Sequence, residues 1–183
     1  MTEDTQLLER LRRGDKDALR TIYEKYQGTL ATLAAGLLDD HATAEDVLQD
    51  VMVSLVRSVH RLNIKGDLRA YLATAVANRA RDYHRRRSRR ASGLVPIDEV
   101  GHVTAGDDGP LQMVIRDERL LLLRSALEAL PCEQREAIVL RLHADMKFRE
   151  IARFQNVSIK TALSRYAYGL DKLRSRLNGE AER

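Results

Sequence analysis

Between Asp15 and Leu37 the apolar residues Leu19, Ile22, Tyr23, Tyr26, Leu30, Leu33 and Leu37 follow spacings of 3, 1, 3, 4, 3 and 4, which lays one apolar stripe along a long helix. A second stripe, Val47, Leu48, Val51, Leu55, Val56 and Val59, predicts a helix with Thr43 as its N-cap and Glu45 and Asp46 in the first turn, where they suit the positive end of the helix dipole. Gly66 and Asp67 break and recap the chain for a third helix with the inner face Leu68, Tyr71, Leu72, Ala75, Val76 and Tyr83. A short leading helix around Leu7, Leu8 and Leu11 completes a predicted four-helix unit over residues 1–91.

The hydrophobic period then stops. From 92 to 110 the chain is punctuated by Gly93, Pro96, Gly101, Gly106 and Gly109 and carries several acids, so these residues read as a flexible linker. Helical spacing resumes near Leu111 and runs to Leu130, and Pro131 suits the first turn of a further helix ending around His143. Two shorter helices follow within the second unit, 111–183. Their junction is written as a helix-turn-helix: Ile151 and Ala152 are inward positions of the first helix and Asn156 occupies the turn, which needs positive φ. Val157 fills the angle, and Ser158 is a good N-cap for the second helix. No alternating apolar and polar run is long enough for a strand. The predicted fold is all-α, two small helical domains on a flexible linker, the second containing the helix-turn-helix.

Composition narrows the function. With 44% hydrophobic and 32% charged residues in 183 positions, the chain has the make-up of a soluble globular protein. The net charge of only +4 matters less than its distribution: seven arginines lie between Arg79 and Arg90 against one acid, Asp82. One cation or two would serve a helix C-terminus, whereas seven repel one another, so the run is read as a nucleic-acid face that gains by displacing counterions from phosphates. Tyr71, Asn78, Tyr83 and His84 lie on or beside it, and aromatic rings with an amide are the groups that hold an unstacked base, which points to single-stranded DNA. Tyr71 also falls on the apolar stripe and fits the core equally well. The single Cys132 excludes an internal disulfide and any cysteine zinc cage and fits a reducing cytoplasm. No cofactor or metal is expected. Nor is membrane insertion, since no apolar run approaches the roughly 18 residues a bilayer span needs.

Asp46, Gln49 and Asp50 share one helical face at i, i+3 and i+4. With no histidine, nucleophile motif or phosphate loop to accompany them, they read as a solvated or partner-binding acidic face rather than as acid-base catalysts.

With these residues laid out, the chain resembles the small two-domain extracytoplasmic-function sigma factors of bacterial RNA polymerase over nearly its whole length. TAEDVLQDV and LRAYLATAVANRARDYHRRR are similar to the family's first domain, and LPCEQREAIVLRL with REIARFQNVSIKTALSR to its second. The resemblance implies that Asp46, Gln49, Asp50 and Arg57 face core RNA polymerase. Asn78 falls where the family contacts a flipped-out base of the downstream promoter element, flanked by Tyr71 and Tyr83, with Arg79, Arg81, Arg85, Arg86 and Arg87 on the strand backbone. Ser158, Lys160, Thr161, Leu163, Ser164, Arg165, Ala167 and Tyr168 fall along the helix that reads the upstream element. The chain departs from the pattern in placing Leu163, Tyr168 and Leu170 where basic residues are usual, and Tyr71 where Trp is usual. The implied role is a cytoplasmic, non-enzymatic initiation subunit whose partners are core RNA polymerase and promoter DNA. Its two domains could fold together when free, a form an anti-sigma factor could stabilise. The rival readings are a helix-turn-helix regulator acting without polymerase, which accounts for the second half only, and a helical hydrolase using Asp46 and Asp50, which lacks metal-ligand geometry.

Overall fold

The long helices of the first half start where a short polar side chain takes over amides that have no partner in the first turn. In the computed structural model, which describes residues 2–62, 67–91 and 118–181, Thr2 caps α1 (Glu3–Arg12). Asp15 Oδ1 accepts from the Asp17 and Ala18 amides at 2.9 and 3.3 Å to open α2 (Lys16–Leu37). The third helix, α3 (His41–Ser58), starts two residues before the expected cap: Asp40, not Thr43, is its N-cap, and the Asp40 carboxylate binds both the amide and the hydroxyl of Thr43. Asp67 Oδ1 accepts from the Arg69 amide at 2.9 Å at the head of α4 (Leu68–Ala91), as the recapping expected there requires.

The helices bury narrower stripes than the periodicity suggests. Ile22, Leu30 and Leu33 of α2, Val51 and Leu55 of α3, and Leu68, Leu72 and Val76 of α4 form one core, with Leu7, Leu8 and Leu11 of α1 closing one side. Tyr23 and Val56, expected in that core, are 45% and 39% exposed. Each follows a fully buried neighbour, and a turn of about 100° per residue carries it off the packed face.

The second half comprises α5 (Glu118–Glu128), α6 (Cys132–His143), α7 (Phe148–Gln155) and α8 (Ile159–Ala181), so eight helices and no strand occur among the described residues. The predicted linker, 92–110, and the start of the helical spacing at Leu111 lie outside the described residues. Pro131 sits one residue ahead of α6 as its N-cap rather than inside the first turn. Between α7 and α8, Asn156 adopts φ 52° and ψ 48°, the left-handed conformation expected of it, while its amide and that of Val157 bond back to Arg153 and Ala152. Gly169 lets α8 cross α6 closely, since a Cβ there would lie 2.8 Å from Ile138 Cδ1.

The two halves share a core. Ala137, Val139 and Leu140 of α6 belong to the same buried cluster as Leu30 and Leu33, and Gly36 of α2 faces Val139 so closely that a Cβ would come within 3.1 Å of its Cγ2. Arg69 Nη1 reaches Asp145 at 2.7 Å, and Arg135 Nη1 lies 3.5 Å from Asp39.

Candidate nucleic-acid interface

Asp46, Gln49, Asp50 and Arg57 all stand exposed on α3, with Val53 and Val56 exposed beside them, so this face is acidic with an apolar strip rather than purely solvated. Arg79 leans onto the face from α4: its Nη2 donates to Ser54 Oγ at 3.0 Å, and its Nη1 lies 3.6 Å from Asp50.

Along α4 the predicted site residues separate by environment. Asn78 is exposed, whereas Tyr71 and Tyr83 are half-buried against the core. Arg86 is exposed, Arg85 pairs with Asp82 at 3.0 Å, and Arg87 with Asp39 at 2.6 Å. These are surface pairs of about 0–1 kcal/mol, which a phosphate can displace at little cost.

Arg81 differs from its neighbours. Its guanidinium points into the junction between the halves and grips Glu136 of α6 with two bonds of 2.5 Å, Nε to Oε1 and Nη2 to Oε2. Its Nη1 donates to the Phe154 carbonyl at 3.2 Å, and the group lies 3.9 Å from the centre of the Phe154 ring. Glu136 is 2% exposed, and its bonds raise the pKa of Arg81 further. The same carboxylate accepts from Gln155 Nε2 at 3.0 Å, and Gln155 Oε1 accepts from Arg165 at 2.9 Å. A continuous polar chain, Arg81, Glu136, Gln155 and Arg165, therefore joins the arginine-rich helix to the helix-turn-helix.

At the helix-turn-helix, Ser158 Oγ accepts from the Thr161 amide at 3.0 Å, the cap predicted for α8. Lys160, Thr161, Leu163, Ala167 and Tyr168 are exposed; Ser164 and Arg165 are half-buried; Ala162 is fully buried and anchors the helix. Two cations absent from the predicted set, Arg149 and Arg153, rim a hollow with Asn156 and Ser158 at the start of α8. They are one turn apart on the exposed side of α7, a signal the sequence carried. Glu136 and Gln155 were also legible in part: each lies one turn from a buried residue, Leu140 and Ile151, so each is a polar group on an apolar stripe that demands a buried partner. Among the described residues no group of His, Cys, Asp or Glu is arranged to hold a metal ion.

Family models match both halves: Sigma-70 region 2 over residues 22–90 and Sigma-70 region 4 over residues 120–173. The chain is 30% identical over 175 residues to the RNA polymerase sigma factor CarQ of Myxococcus xanthus, covering 96% of this chain and 97% of that one. It is 28% identical over 171 residues to the RNA polymerase sigma-H factor of Pseudomonas aeruginosa, covering 89% and 88%. Among solved structures, the fold is similar to that of CnrH in its complex with the cytosolic domain of CnrY, with a TM-score of 0.69, 22% identity and coverage of 96% and 97%. It is also similar to RpoE of Bartonella quintana in complex with the anti-sigma factor NepR, with a TM-score of 0.64, 24% identity and coverage of 87% and 98%.

Proposed function

The chain belongs to the extracytoplasmic-function sigma factors and directs transcription initiation, and from that premise we propose how its parts divide the work. It binds core RNA polymerase, sets two helical domains on two promoter elements and helps to melt the DNA, making and breaking no bond itself. The observation that carries this is the order of the two matches: an arginine-rich helical unit of the region 2 type precedes a helix-turn-helix unit of the region 4 type in one chain. A regulator acting without polymerase would leave the first unit unexplained.

Residues 1–91 form the polymerase and downstream-element domain, 92–110 the linker and 111–183 the upstream-element domain. Asp46, Gln49, Asp50 and Arg57 meet the polymerase, with Val53 and Val56 supplying apolar area beside them. Asn78 takes the extruded base by edge hydrogen bonds, with Tyr71 and Tyr83 bordering the same stretch of α4, which repays part of the few kcal/mol of unstacking. Arg79, Arg85, Arg86 and Arg87 follow the strand backbone, joined by Arg81 once it leaves Glu136. The helix-turn-helix reads duplex DNA with Arg149 and Arg153 on phosphates and the start of α8 in the major groove. Tethering makes two weak readers sufficient, since engagement of one raises the effective concentration of the other.

The packed arrangement of the free chain is the resting form, and core polymerase draws the two halves apart. Two proteins of similar fold were solved with protein partners, one of them an anti-sigma factor. A partner of that kind would act here by holding the halves together. The site of action is the cytoplasm, where polymerase works; no described helix is long and apolar enough to cross a membrane.

Purified chain mixed with core RNA polymerase should yield promoter-dependent transcripts from a library of promoter fragments. Duplex binding with no transcript from any fragment would favour the regulator instead.

A further inference from the structure

Nine large apolar side chains are exposed among the described residues, and three of them, Ile159, Leu163 and Tyr168, stand on the first half of α8 at 51%, 43% and 65% exposure. The fold does not need them there. The packed side of the same helix is carried by Ala162 and Leu173, and by Tyr166, whose ring meets Phe148 edge-on at 5.3 Å.

Three polar side chains at the start of this helix, Ser158, Thr161 and Arg165, are engaged within the free chain. Ser158 Oγ accepts from the Thr161 amide at 3.0 Å and shares a hydrogen bond of 2.8 Å with the Thr161 hydroxyl. Arg165 donates to Gln155 Oε1 at 2.9 Å, and Gln155 is itself held by the Glu133 carbonyl at 2.8 Å and by Glu136 at 3.0 Å. Exposed cations surround the apolar residues, Arg149 and Arg153 before the turn and Lys160 after it, so the surface is apolar at its centre and basic at its rim. The major groove of DNA presents the complement, phosphates on either side of a groove floor bearing methyl groups.

Ile159 and Leu163 are one helical turn apart, with Cβ atoms about 5–6 Å from each other. That separation approaches two base steps of about 3.4 Å. The one apolar group on a base edge in the major groove is the thymine C5-methyl. We infer that Ile159 and Leu163 read thymine methyl groups two base steps apart in the upstream element, so that methyl contact carries part of its recognition beside the polar side chains of the helix. The inference rests on α8 being the upstream reader, and it names what that helix reads.

The test uses the full chain reconstituted with core RNA polymerase and upstream-element duplexes recovered by binding from a randomised library. Each thymine of a recovered duplex is then replaced by deoxyuridine, which removes the methyl and leaves base pairing intact. At one or two positions the replacement should weaken binding about fourfold each, the worth of one buried methylene-sized group. Leu163→Ala and Ile159→Ala, both at exposed positions, should each abolish the thymine preference at one position. Equal binding of thymine and deoxyuridine everywhere, or a recovered element without thymine, would overturn the methyl inference alone. Recovery of no upstream element at all would overturn the reading of α8 as well.

Discussion

At Asn156 a single residue sets the angle of the helix-turn-helix. Its φ of 52° lies where an L-residue with a Cβ is strained by about 1–2 kcal/mol, which asparagine relieves in part. Asn156→Ala should therefore lower stability by about 1 kcal/mol, while Asn156→Gly should be neutral or mildly stabilising; urea midpoints of the two variants measure the difference. This conformation was legible because few residues tolerate it. Asn78 is the opposite case, an exposed amide with no packing duty. Asn78→Ala should leave core affinity intact and slow open-complex formation about tenfold, the equivalent of one lost base contact. Filter binding against a melting-sensitive fluorescent base separates the two effects, and equal loss of both would make Asn78 structural. The environment of Arg81 was not legible: its partner lies 55 residues away, and within its own helix it is one arginine of a run.

Helices are where the sequence spoke most clearly, because the 3.6-residue period and the caps are local. Even so, α3 is capped by Asp40 rather than Thr43, two competent caps within one turn. The packing of α1 on α2 supplies a pH-dependent element. Lys25 reaches Glu3 at 2.6 Å and Asp4 at 2.7 Å, and the Tyr26 hydroxyl donates to Asp4 at 2.7 Å. Burial, then the bond to Asp4, pushes the Tyr26 pKa from 10.0 up to about 12, and the two carboxylates raise that of Lys25. Groups whose folded pKa is raised stabilise fully below the unfolded value and lose that contribution as pH climbs through the folded one. The melting temperature should therefore fall between pH 10 and 12. Tyr26→Phe should flatten part of that fall in a calorimetric series; an unchanged slope would show that the fall arises elsewhere.

For the whole molecule the deciding feature is the junction. Arg81, Glu136, Gln155 and Arg165 join the arginine-rich helix to the helix-turn-helix through one carboxylate that is 2% exposed, so the closed form occupies two of the arginines proposed to meet promoter DNA. Glu136→Gln keeps the size and the Gln155 contact but removes the charge, weakening the closed packing by about 2 kcal/mol. Small-angle scattering should then report a larger radius of gyration, and the core-free chain should bind single-stranded downstream DNA more tightly. No change in either would refute the latch. Local physics allowed the sequence by itself to determine the helices, the capped turn at Asn156, the basic run and the order of the two units, since each depends on neighbours within a turn or two. Tertiary structure alone decided which residues meet across the halves: Glu136 with Arg81, Val139 with Gly36, Asp39 with Arg135. Those contacts depend on how two finished surfaces fit, and residues 92–110 between the units carry no period from which that fit could be read.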